Sequence, residues 1–385
     1  MIPYGRQDIT DDDIKAVIDT LNSDFITQGP KIDEFENAIS KKIGSNHSVL
    51  VNSATSALHL ACLALDLGEG DILWTSANSF VASSNCGLYC GADVSFVDID
   101  LKTYNICTEI LEQKLIEAKK NKCLPKILVV VHLCGQSCDM KTIKKLSDEY
   151  GFKIIEDASH AVGGKYHDNY IGCCEYSDIS VFSFHPVKII TTAEGGAALT
   201  NDKDLFTKMS LLRTHGITRN EELMQNTIDG PWYYEQIYLG LNYRITDIQA
   251  ALGLSQFNRL DKYVAKRNEL AIKYDKYLEE LPIKTPEIQS FNYSSFHLYV
   301  ILLDLDNISK TKKEVFNYLR SKEIGVNLHY IPIPMHPFYR NLGFNYKDYP
   351  NSYEYYEKAI SIPMFPNLSE QNQLFVVNTL KEILQ

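Results

Sequence analysis

Short apolar runs rich in β-branched residues alternate with amphipathic segments from about residue 47 to residue 200. Polar or small residues bound most of these runs, which is the pattern expected of buried strands. The predicted strands are Ser48–Val51, Asp71–Thr75, Val94–Val97, Lys126–His132, Lys153–Asp157, Ile179–Phe184 and Gly196–Thr200. Strands that alternate with helices predict an α/β layered domain with a mainly parallel sheet.

Two of the intervening segments have recognisable helix ends. Asp139 is the predicted N-cap of a helix over Met140–Tyr150, which stops at Gly151. Thr108 is the predicted N-cap of a helix over Glu109–Lys119. Because ligands of α/β folds gather at the carboxyl ends of the strands, residues that follow predicted strands are the first candidates for a site.

A second pattern begins at Thr246, where Thr246 to Gln249 form a predicted capping box at the start of a long helix to about Leu281. The predicted buried face of that helix is Ile248, Leu252, Leu260, Val264 and Leu270. The polar stretch Pro282–Asn292 then predicts a turn into a smaller α+β domain. Its predicted elements are a strand at Phe296–Leu303, a helix at Lys312–Glu323 with Thr311 and Glu314 in capping-box spacing, a β-like stretch at Val326–Tyr330 and a helix at Ser369–Leu384. We therefore predict a large domain over residues 1–255 and a small C-terminal domain over residues 256–385.

Composition narrows the class of protein. The 385 residues are 45% hydrophobic and 23% charged, which is ordinary for a globular protein long enough for two domains. Met1–Thr10 has no apolar segment, and no apolar stretch reaches the ~20 residues of a membrane helix, so we expect no signal peptide, no membrane span and a cytoplasmic location. A net charge of −11 argues against nucleic-acid binding. The nine cysteines contain no paired C-x₂-C motifs, so we expect free thiols and no metal site.

Lys188 follows a predicted strand, has hydroxyl residues nearby, and precedes a glycine pair at Gly195 and Gly196. A lysine presented at a strand end suits covalent attachment to an aldehyde cofactor. Asp157 ends the preceding predicted strand. Enzymes that use pyridoxal 5′-phosphate (PLP) need such a lysine together with a carboxylate at the ring nitrogen. Lys188 alone could be an ordinary loop lysine, and Asp157 alone could be an ordinary turn residue. The prediction of PLP therefore depends on finding both residues together.

Further candidates lie at the same predicted sheet edge. Ala54 and Thr55 open a helix after a strand, where backbone N–H groups can hold a phosphate, although a plain capped helix is the competing explanation. Ser183 would add a hydroxyl to the phosphate. Phe80, expected to begin a helix, can stack on a pyridine ring or simply pack in the core. His160 can hydrogen-bond the cofactor phenolate, stack on the ring, or have a structural role.

The motifs Ser183 to Gly196, Glu156 to His160 and Gly240 to Asp247 together resemble the DegT/DnrJ/EryC1/StrS family of PLP-dependent nucleotide-sugar aminotransferases. The resemblance extends from Ile2 to Leu368. It implies the PLP-dependent transferase fold of the aspartate aminotransferase type (fold type I). It also implies a homodimer with an active site shared across the interface, in which Asn242 reaches the partner's cofactor phosphate.

Within the family, His185 to Lys188 and Asp229 to Glu235 are most similar to enzymes of pseudaminic acid biosynthesis. This similarity implies that L-glutamate donates its amino group to C4 of a UDP-linked 4-keto-6-deoxy-N-acetyl sugar of L configuration. Two alternatives stay open: a transaminase for the D-configured keto sugar, as in bacillosamine synthesis, and a non-catalytic protein of the PLP fold. Relatives that remove a hydroxyl carry His at the aldehyde-binding position, so Lys188 argues against that chemistry.

Substrate contacts are predicted from charge and motif position alone. They are Arg6, Lys31 and Arg244. Two departures from the family pattern accompany them. Ala54 stands where many members have Gly, and Pro334 stands where the family often has His, for which His336 is a possible substitute.

Overall fold

The computed structural model describes residues 1–384 and centres on a seven-stranded sheet. The first nine strands are β1 (His47–Val51), β2 (Ile72–Ser76), β3 (Asp93–Val97), β4 (Ile127–Val131), β5 (Lys153–Asp157), β6 (Lys165–Tyr166), β7 (Asn169–Tyr170), β8 (Ile179–Ser183) and β9 (Gly196–Thr200). The central sheet has the order β1-β9-β8-β5-β4-β2-β3. Strand β9 is antiparallel to both of its neighbours, and the other pairs are parallel. All seven predicted strands are confirmed, as is the mainly parallel sheet.

Burial on both faces explains why these strands read as continuous apolar runs. In β4, Leu128 and Val130 belong to one buried cluster, while Ile127 and Val129 belong to the cluster on the other face. Thirteen helices accompany the sheets in the described chain. They are α1 (Asp11–Leu21), α2 (Pro30–Ile43), α3 (Ala54–Ala64), α4 (Ala82–Tyr89), α5 (Thr108–Asn121), α6 (Met140–Tyr150), α7 (Lys203–Arg213), α8 (Asp247–Phe257), α9 (Leu260–Leu278), α10 (Lys312–Ser321), α11 (Pro337–Asn341), α12 (Pro350–Lys358) and α13 (Glu370–Leu384).

Helix α6 begins and ends as predicted, whereas α5 begins one residue early. Asp139 accepts a hydrogen bond from the Thr142 amide, and Gly151 takes the left-handed conformation that ends α6. The prediction that Thr108 caps α5 is wrong, because Cys107 is the N-cap and Thr108 is the first helical residue. The Thr108 hydroxyl bonds the Glu109 carboxylate instead of a helix amide.

The predicted single helix from Thr246 to about Leu281 is also wrong, since it breaks between Phe257 and Leu260 into α8 and α9. The capping box of Thr246 and Gln249 is confirmed. The buried positions of α8 include Ala250, Ala251 and Phe257, whereas the predicted Ile248 and Leu252 are only half-buried. Leu260, Val264 and Leu270 of α9 are buried as predicted.

An ion pair at this break ties α8 and α9 to α1. Asp13 is fully buried and accepts a 2.6 Å hydrogen bond from the Arg259 guanidinium and another from the Ser255 hydroxyl. Burial alone would raise the pKa of Asp13, but Arg259, Ser255 and the Thr10 amide outweigh it and hold that pKa below its usual value. The contact anchors the N-terminal helix to α8 and α9.

Replacing Asp13 with asparagine should destabilise the fold by about 2–3 kcal/mol at pH 7, because it leaves the Arg259 charge without its partner. The cost is below that of a fully dry pair, since the Arg259 side chain is 19% exposed. Because the folded pKa is lowered, the wild-type advantage is present at neutral pH and is lost as the pH falls through that pKa. The free energy of unfolding, measured by urea denaturation at pH 7 and at pH 3, tests this prediction. Asp148→Asn, which breaks an exposed ion pair with Lys144, is the control and should change that free energy little.

The C-terminal part has its own small sheet and core. The remaining strands are β10 (Ile217–Thr218), β11 (Glu235–Gln236), β12 (Ile283–Lys284), β13 (Asn292–Tyr293), β14 (Tyr299–Leu303) and β15 (Ala359–Ile362). Strand β14 lies between β12 and β15, and helices α9, α10 and α13 share a buried cluster with these strands. The capping box of Thr311 and Glu314 is confirmed. The domain boundary at residue 255 stays a prediction.

The predicted strand at Val326–Tyr330 is wrong. Only one bridge, Asn327 to Ser361, joins it to β15. The Tyr330 amide donates to the Asn78 side chain, and the Leu328 amide donates to the Asn327 side chain, so side chains take the place of a strand partner. In residues 1–384, no helix is both long and apolar enough to cross a bilayer.

Candidate active site

A cavity of about 500 Å³ opens at the carboxyl ends of β4, β5 and β8, as the fold class predicts. Val131, Asp157 and Ser183, the last residues of these three strands, line it. Seven of the predicted site residues meet here. They are Lys188, Asp157, His160, Ser183, Ala54, Thr55 and Phe80.

Lys188 is presented by a loop between two antiparallel strands. The Phe184 amide donates to the Gly195 carbonyl at 2.9 Å, and the Thr192 amide donates back to the Phe184 carbonyl at 3.0 Å, which closes the base of the loop. Burial of the amine lowers the pKa of Lys188 to about 8, and the Asp157 carboxylate opposes that shift. With that pKa, about a tenth of the amine is neutral at pH 7, and the neutral amine is the nucleophile.

Asp157 presents a buried carboxylate to the same cavity. Its Oδ2 accepts a 2.6 Å hydrogen bond from the Ser83 hydroxyl, and its Oδ1 accepts from the Ser159 amide at 3.2 Å. Both partners are neutral groups, and the side chain is 6% exposed. Burying a carboxylate is costly unless a cation or several donors offset the loss of water. A ligand that brings a positively charged N–H to this end of the cavity would therefore bind favourably.

His160 connects the sheet edge to Tyr330. Its Nδ1 accepts from the Cys134 amide at 3.3 Å, so the ring proton of the neutral imidazole lies on Nε2. Burial, and then the positive charge of Lys188, holds the pKa of His160 well below its usual value, which keeps the ring neutral. Nε2 then donates to the Tyr330 hydroxyl at 3.0 Å. The Tyr330 hydroxyl proton is consequently free to point into the cavity.

The N-terminus of α3 forms a narrow shelf beside β9. Ser53 caps the helix by accepting from the Ser56 amide, so Ser53 fills the ordinary capping role and Ala54 and Thr55 face the cavity. Gly196 makes this approach possible, because a Cβ there would come within 2.6 Å of the Ala54 nitrogen. Backbone N–H groups at a helix N-terminus are a favourable site for a phosphate.

Phe80 lies just before α4 rather than at its start, which corrects the predicted position. Its side chain is 55% exposed, so core packing is not its role. The ring centroid is 5.8 Å from that of Tyr330, which also lines the cavity. The exposed face is available to stack on a bound ring.

The sequence alone did not identify several residues that line the cavity. They are Tyr4, His185, Glu194, His297, Asn327 and His329. His297 is 3% exposed, and its Nδ1 has no hydrogen-bond partner in the described chain. Burial holds the pKa of His297 well below its usual value and lowers that of His329 to about 3. His297 and His329 lie on segments distant in sequence from Lys188, so only folding brings them to the cavity. His185 and Glu194 lie within the motif around Lys188, and their position there could have identified them as lining residues.

The charged residues predicted to contact substrate do not line this cavity. Lys31 pairs with Glu34 at 2.6 Å, and Arg6 is exposed. Arg244 and Asn242 lie outside the lining as well, and neither Pro334 nor His336 is part of it. Of the described residues that line the cavity, Lys188 is the single lysine or arginine.

PLP fits the arrangement on chemical grounds. Its aldehyde matches the partly neutral Lys188 amine, its ring nitrogen matches the buried Asp157 carboxylate, and its phosphate matches the helix N-terminus at Ala54. The exposed Phe80 ring is available for the pyridine face. The comparison with known proteins supports the same cofactor.

A model of the DegT/DnrJ/EryC1/StrS aminotransferase family matches residues 7–381. The chain belongs to this family. The aminotransferase is 39% identical to the UDP-4-amino-4,6-dideoxy-N-acetyl-beta-L-altrosamine transaminase of Campylobacter jejuni, over 100% of this chain and 98% of that protein. It is 34% identical to the spore coat polysaccharide biosynthesis protein SpsC of Bacillus subtilis, over 100% of this chain and 97% of that one.

Solved structures confirm the predicted fold. PseC of Helicobacter pylori, an aminotransferase involved in the biosynthesis of pseudoaminic acid, matches with a TM-score of 0.90 and 32% identity over 100% of this chain and 99% of that one. Spr1654 of Streptococcus pneumoniae in its PLP form matches with a TM-score of 0.88 and 28% identity over 99% and 98% of the two chains. The protein is a PLP-dependent sugar aminotransferase.

Replacing Gly196 with alanine should weaken PLP binding to the aminotransferase by about tenfold or more, because the new methyl group pushes the phosphate shelf away from β9. A titration of the apoprotein with PLP, followed by absorbance, measures the change. Gly68→Ala is the matched control, since a Cβ at Gly68 meets nothing within 4 Å. Equal PLP affinity of the Gly196 variant and the wild type would contradict the assigned position of the phosphate.

Proposed function

We propose that this aminotransferase moves the amino group of L-glutamate to C4 of UDP-2-acetamido-2,6-dideoxy-β-L-arabino-hex-4-ulose. The product would be UDP-4-amino-4,6-dideoxy-N-acetyl-β-L-altrosamine, an intermediate of pseudaminic acid biosynthesis. One observation carries the transamination: a partly neutral lysine and a buried carboxylate line the same cavity. The choice of sugar is supported by the full-length similarity to the two Campylobacter transaminases, at 39% and 38% identity.

In the proposed mechanism Lys188 has two tasks. Its Nζ would hold the cofactor aldehyde when PLP is bound and, once free of it, would carry a proton to and from the substrate carbon. A pKa of about 8 suits both tasks, because the amine can accept and return a proton near neutral pH. In the amination direction, the face from which Nζ delivers the proton would set the configuration at C4 of the sugar.

The Asp157 carboxylate would keep the ring nitrogen of bound PLP protonated, and the Ser83 hydroxyl and Ser159 amide orient that carboxylate. Bound PLP supplies a pyridinium ring that accepts the electron pair left when a substrate carbon loses its proton. Ala54, Thr55 and Ser183 would hold the phosphate. His160 positions the Tyr330 hydroxyl, which donates toward the phenolate or the substrate.

Replacing Tyr330 with phenylalanine should lower kcat by about tenfold, because the ring stays in place while the hydroxyl donor is lost. Phe at this position also leaves His160 Nε2 without its acceptor, and the visible absorption of the bound cofactor should change its pH dependence. Steady-state kinetics and a pH titration of that absorption give the two readouts. Unchanged values in both would show that Tyr330 has no role toward the cofactor or substrate.

The two carboxylates of glutamate and a diphosphate need cations, and among the described residues that line the cavity of one chain only Lys188 is a lysine or arginine. This shortage supports the proposal of a homodimer whose active sites are shared across the interface. In that assembly Asn242 would reach the partner's cofactor phosphate, and Arg6, Lys31 and Arg244 remain the proposed contacts for the anionic substrates. Analytical ultracentrifugation of the holoenzyme tests the dimer directly.

The test of substrate uses the holoenzyme with L-glutamate and each of the two epimeric UDP-4-keto sugars. Mass spectrometry and NMR of the product identify the amine and its configuration at C4. We expect amination of the L-configured sugar. Preference for the D-configured sugar would instead indicate a bacillosamine-type transaminase, and amination of neither, with glutamate still converting the cofactor, would leave the sugar proposal wrong and the glutamate step intact.

A further inference from the structure

The segment that carries His297 is fixed against the loop that follows β4. The Ser295 amide donates a hydrogen bond to the Gly135 carbonyl at 3.0 Å, and the Ser295 hydroxyl donates to the His160 carbonyl at 2.8 Å. The approach is so close that a Cβ at Gly135 would come within 2.5 Å of the Ser295 hydroxyl oxygen. The His297 ring lies beside that of His160, with 4.4 Å between the ring centroids. His297 therefore has a fixed place in the lining of the cavity.

A buried arginine binds the main chain of the same segment. Arg267 of α9 is 1% exposed, and its Nη1 donates to the carbonyls of Phe296, His297 and Met364 at 3.1, 3.2 and 3.0 Å. Burial lowers the pKa of Arg267 to about 9, which leaves the guanidinium charged at neutral pH, and no carboxylate of the described chain opposes that shift. A buried positive charge without an acidic partner attracts an anion. The part of the cavity that His297 lines is therefore favourable for a negatively charged group.

The His297 ring can offer one nitrogen to a ligand. Its Nδ1 is buried and has no hydrogen-bond partner in the described chain. Because an unpaired buried N–H group is rarer in proteins than an unpaired buried acceptor, we assign the ring proton to Nε2. Burial, and then the positive charge of Lys188, keeps the pKa of His297 well below its usual value, so the ring stays neutral. His297 thus supplies a neutral N–H donor whose acceptor has to come from a molecule in the cavity.

The amino donor of an aminotransferase brings a suitable acceptor to this place. Its α-amino group has to reach the cofactor aldehyde near Lys188, and its α-carboxylate is attached to the same carbon atom as that amino group. The α-carboxylate therefore lies close to the reacting atoms for any amino-acid donor. The hydroxyl and acetamido groups of a sugar are uncharged, and the diphosphate is several bonds away from C4. Of these groups, the α-carboxylate best matches an N–H donor next to an unpaired positive charge.

We propose that His297 Nε2 donates a hydrogen bond to the α-carboxylate of the amino donor and thereby sets the affinity of the enzyme for that donor. The inference rests on the proposed transfer from L-glutamate and names the residue that receives one of its two carboxylates. His297 binds the donor in this role and moves no proton, so the chemistry at Lys188 does not depend on it. Cations from a partner subunit would add to this contact.

The test replaces His297 with phenylalanine, which keeps a planar ring and removes the donor. Stopped-flow absorbance of the PLP-loaded protein with increasing L-glutamate gives the half-saturating concentration and the limiting rate of the first half-reaction. We expect the half-saturating concentration to rise by about 10- to 100-fold, because a hydrogen bond to a charged group is lost. The limiting rate should stay within about threefold, because Lys188 and Asp157 are unchanged. An unchanged half-saturating concentration, or a fall in the limiting rate alone, would overturn the proposal.

Two amide variants locate the donor atom. Glutamine at this position places its N–H group near Nε2, whereas asparagine places its N–H group near Nδ1. His297→Gln should therefore recover most of the affinity for glutamate, and His297→Asn should not. A merely structural His297 would give no such difference between the two amides. His47→Phe is the matched control, because His47 begins β1 and stacks on Phe206 away from the cavity, and it should change neither parameter.

Two further measurements separate this inference from the proposed function. The pyridoxamine-loaded wild type and His297→Phe are titrated with the UDP-4-keto sugars, and equal affinity is expected; weaker binding of the sugar with unchanged binding of glutamate would assign the contact to the sugar and overturn the proposal. If glutamate fails to convert even the wild-type cofactor, the proposed donor is wrong. The same titration with L-glutamine and L-alanine then still tests His297, because each of these amino acids carries the α-carboxylate.

Discussion

Replacing Lys188 with alanine should lower aminotransferase activity by at least about 10⁴-fold, because both the covalent anchor and the proton-transfer group are lost together. The same change should remove the visible absorption that forms when a lysine binds the PLP aldehyde. Borohydride reduction followed by peptide mapping gives a readout independent of turnover, since the wild-type protein should carry the reduced cofactor on the peptide that contains Lys188.

A matched control is Lys144→Ala, which removes an exposed lysine paired only with Asp148. It should keep the absorption, the reduced adduct and the activity. The decisive contrary result would be a reduced cofactor on another lysine, or a Lys188→Ala protein whose spectrum is unchanged by comparison with the wild type. Retained folding of the variant is checked by its unfolding midpoint, since Lys188 lies in a loop closed by backbone hydrogen bonds of its neighbours.

Most of the sheet could be predicted because the burial of each strand is visible in the composition of that strand alone. Strands buried on both faces must be apolar throughout, as in Ile127–Val131, and this pattern is visible without the fold. The residues at strand ends were predictable for the same reason: once Asp157 and Ser183 end neighbouring strands, they have to meet at one edge.

The errors arose where tertiary contacts decide the local structure. The break between α8 and α9 coincides with the Arg259 ion pair to Asp13, which lies far away in sequence. The apolar stretch at Val326–Tyr330 has strand-like composition, yet the Leu328 and Tyr330 amides donate to side chains, and only Asn327 pairs with the backbone of β15. The hydrophobic pattern of the sequence predicts neither of these contacts.

The substrate contacts predicted from charge stay predictions, because Arg6, Lys31 and Arg244 lie outside the cavity lining of one chain. The positive charge of Lys31 does not by itself show that Lys31 pairs with Glu34. The exposure of Arg6 likewise becomes visible only in the folded protein. The cavity is lined instead by neutral polar groups such as His297 and Asn327, which come from the C-terminal part of the chain. Motifs near Lys188 could find its immediate neighbours but not these residues from distant segments.

Replacing Asp157 with asparagine should slow the reaction with glutamate by about 100- to 1,000-fold, because the amide keeps the shape of the side chain and removes the charge that holds the ring nitrogen protonated. Stopped-flow absorbance after mixing the holoenzyme with L-glutamate measures this step without any sugar. The adduct between Lys188 and PLP should still form in the variant, because Lys188 is unchanged. The experiment therefore distinguishes a loss of cofactor binding from a loss of cofactor reactivity.

Glu156→Gln is the control that isolates this effect. Glu156 is the preceding residue of the same strand and is 5% exposed, but its side chain points to the opposite face, where it bonds His132 at 2.7 Å and also Ser177. The two substitutions remove the same charge from adjacent buried positions, and only one of them faces the cavity. We therefore expect Glu156→Gln to reduce stability while leaving the rate of the glutamate step nearly unchanged. Equal slowing by both variants would attribute the loss to damage of β5, and no slowing by Asp157→Asn would remove Asp157 from the ring nitrogen.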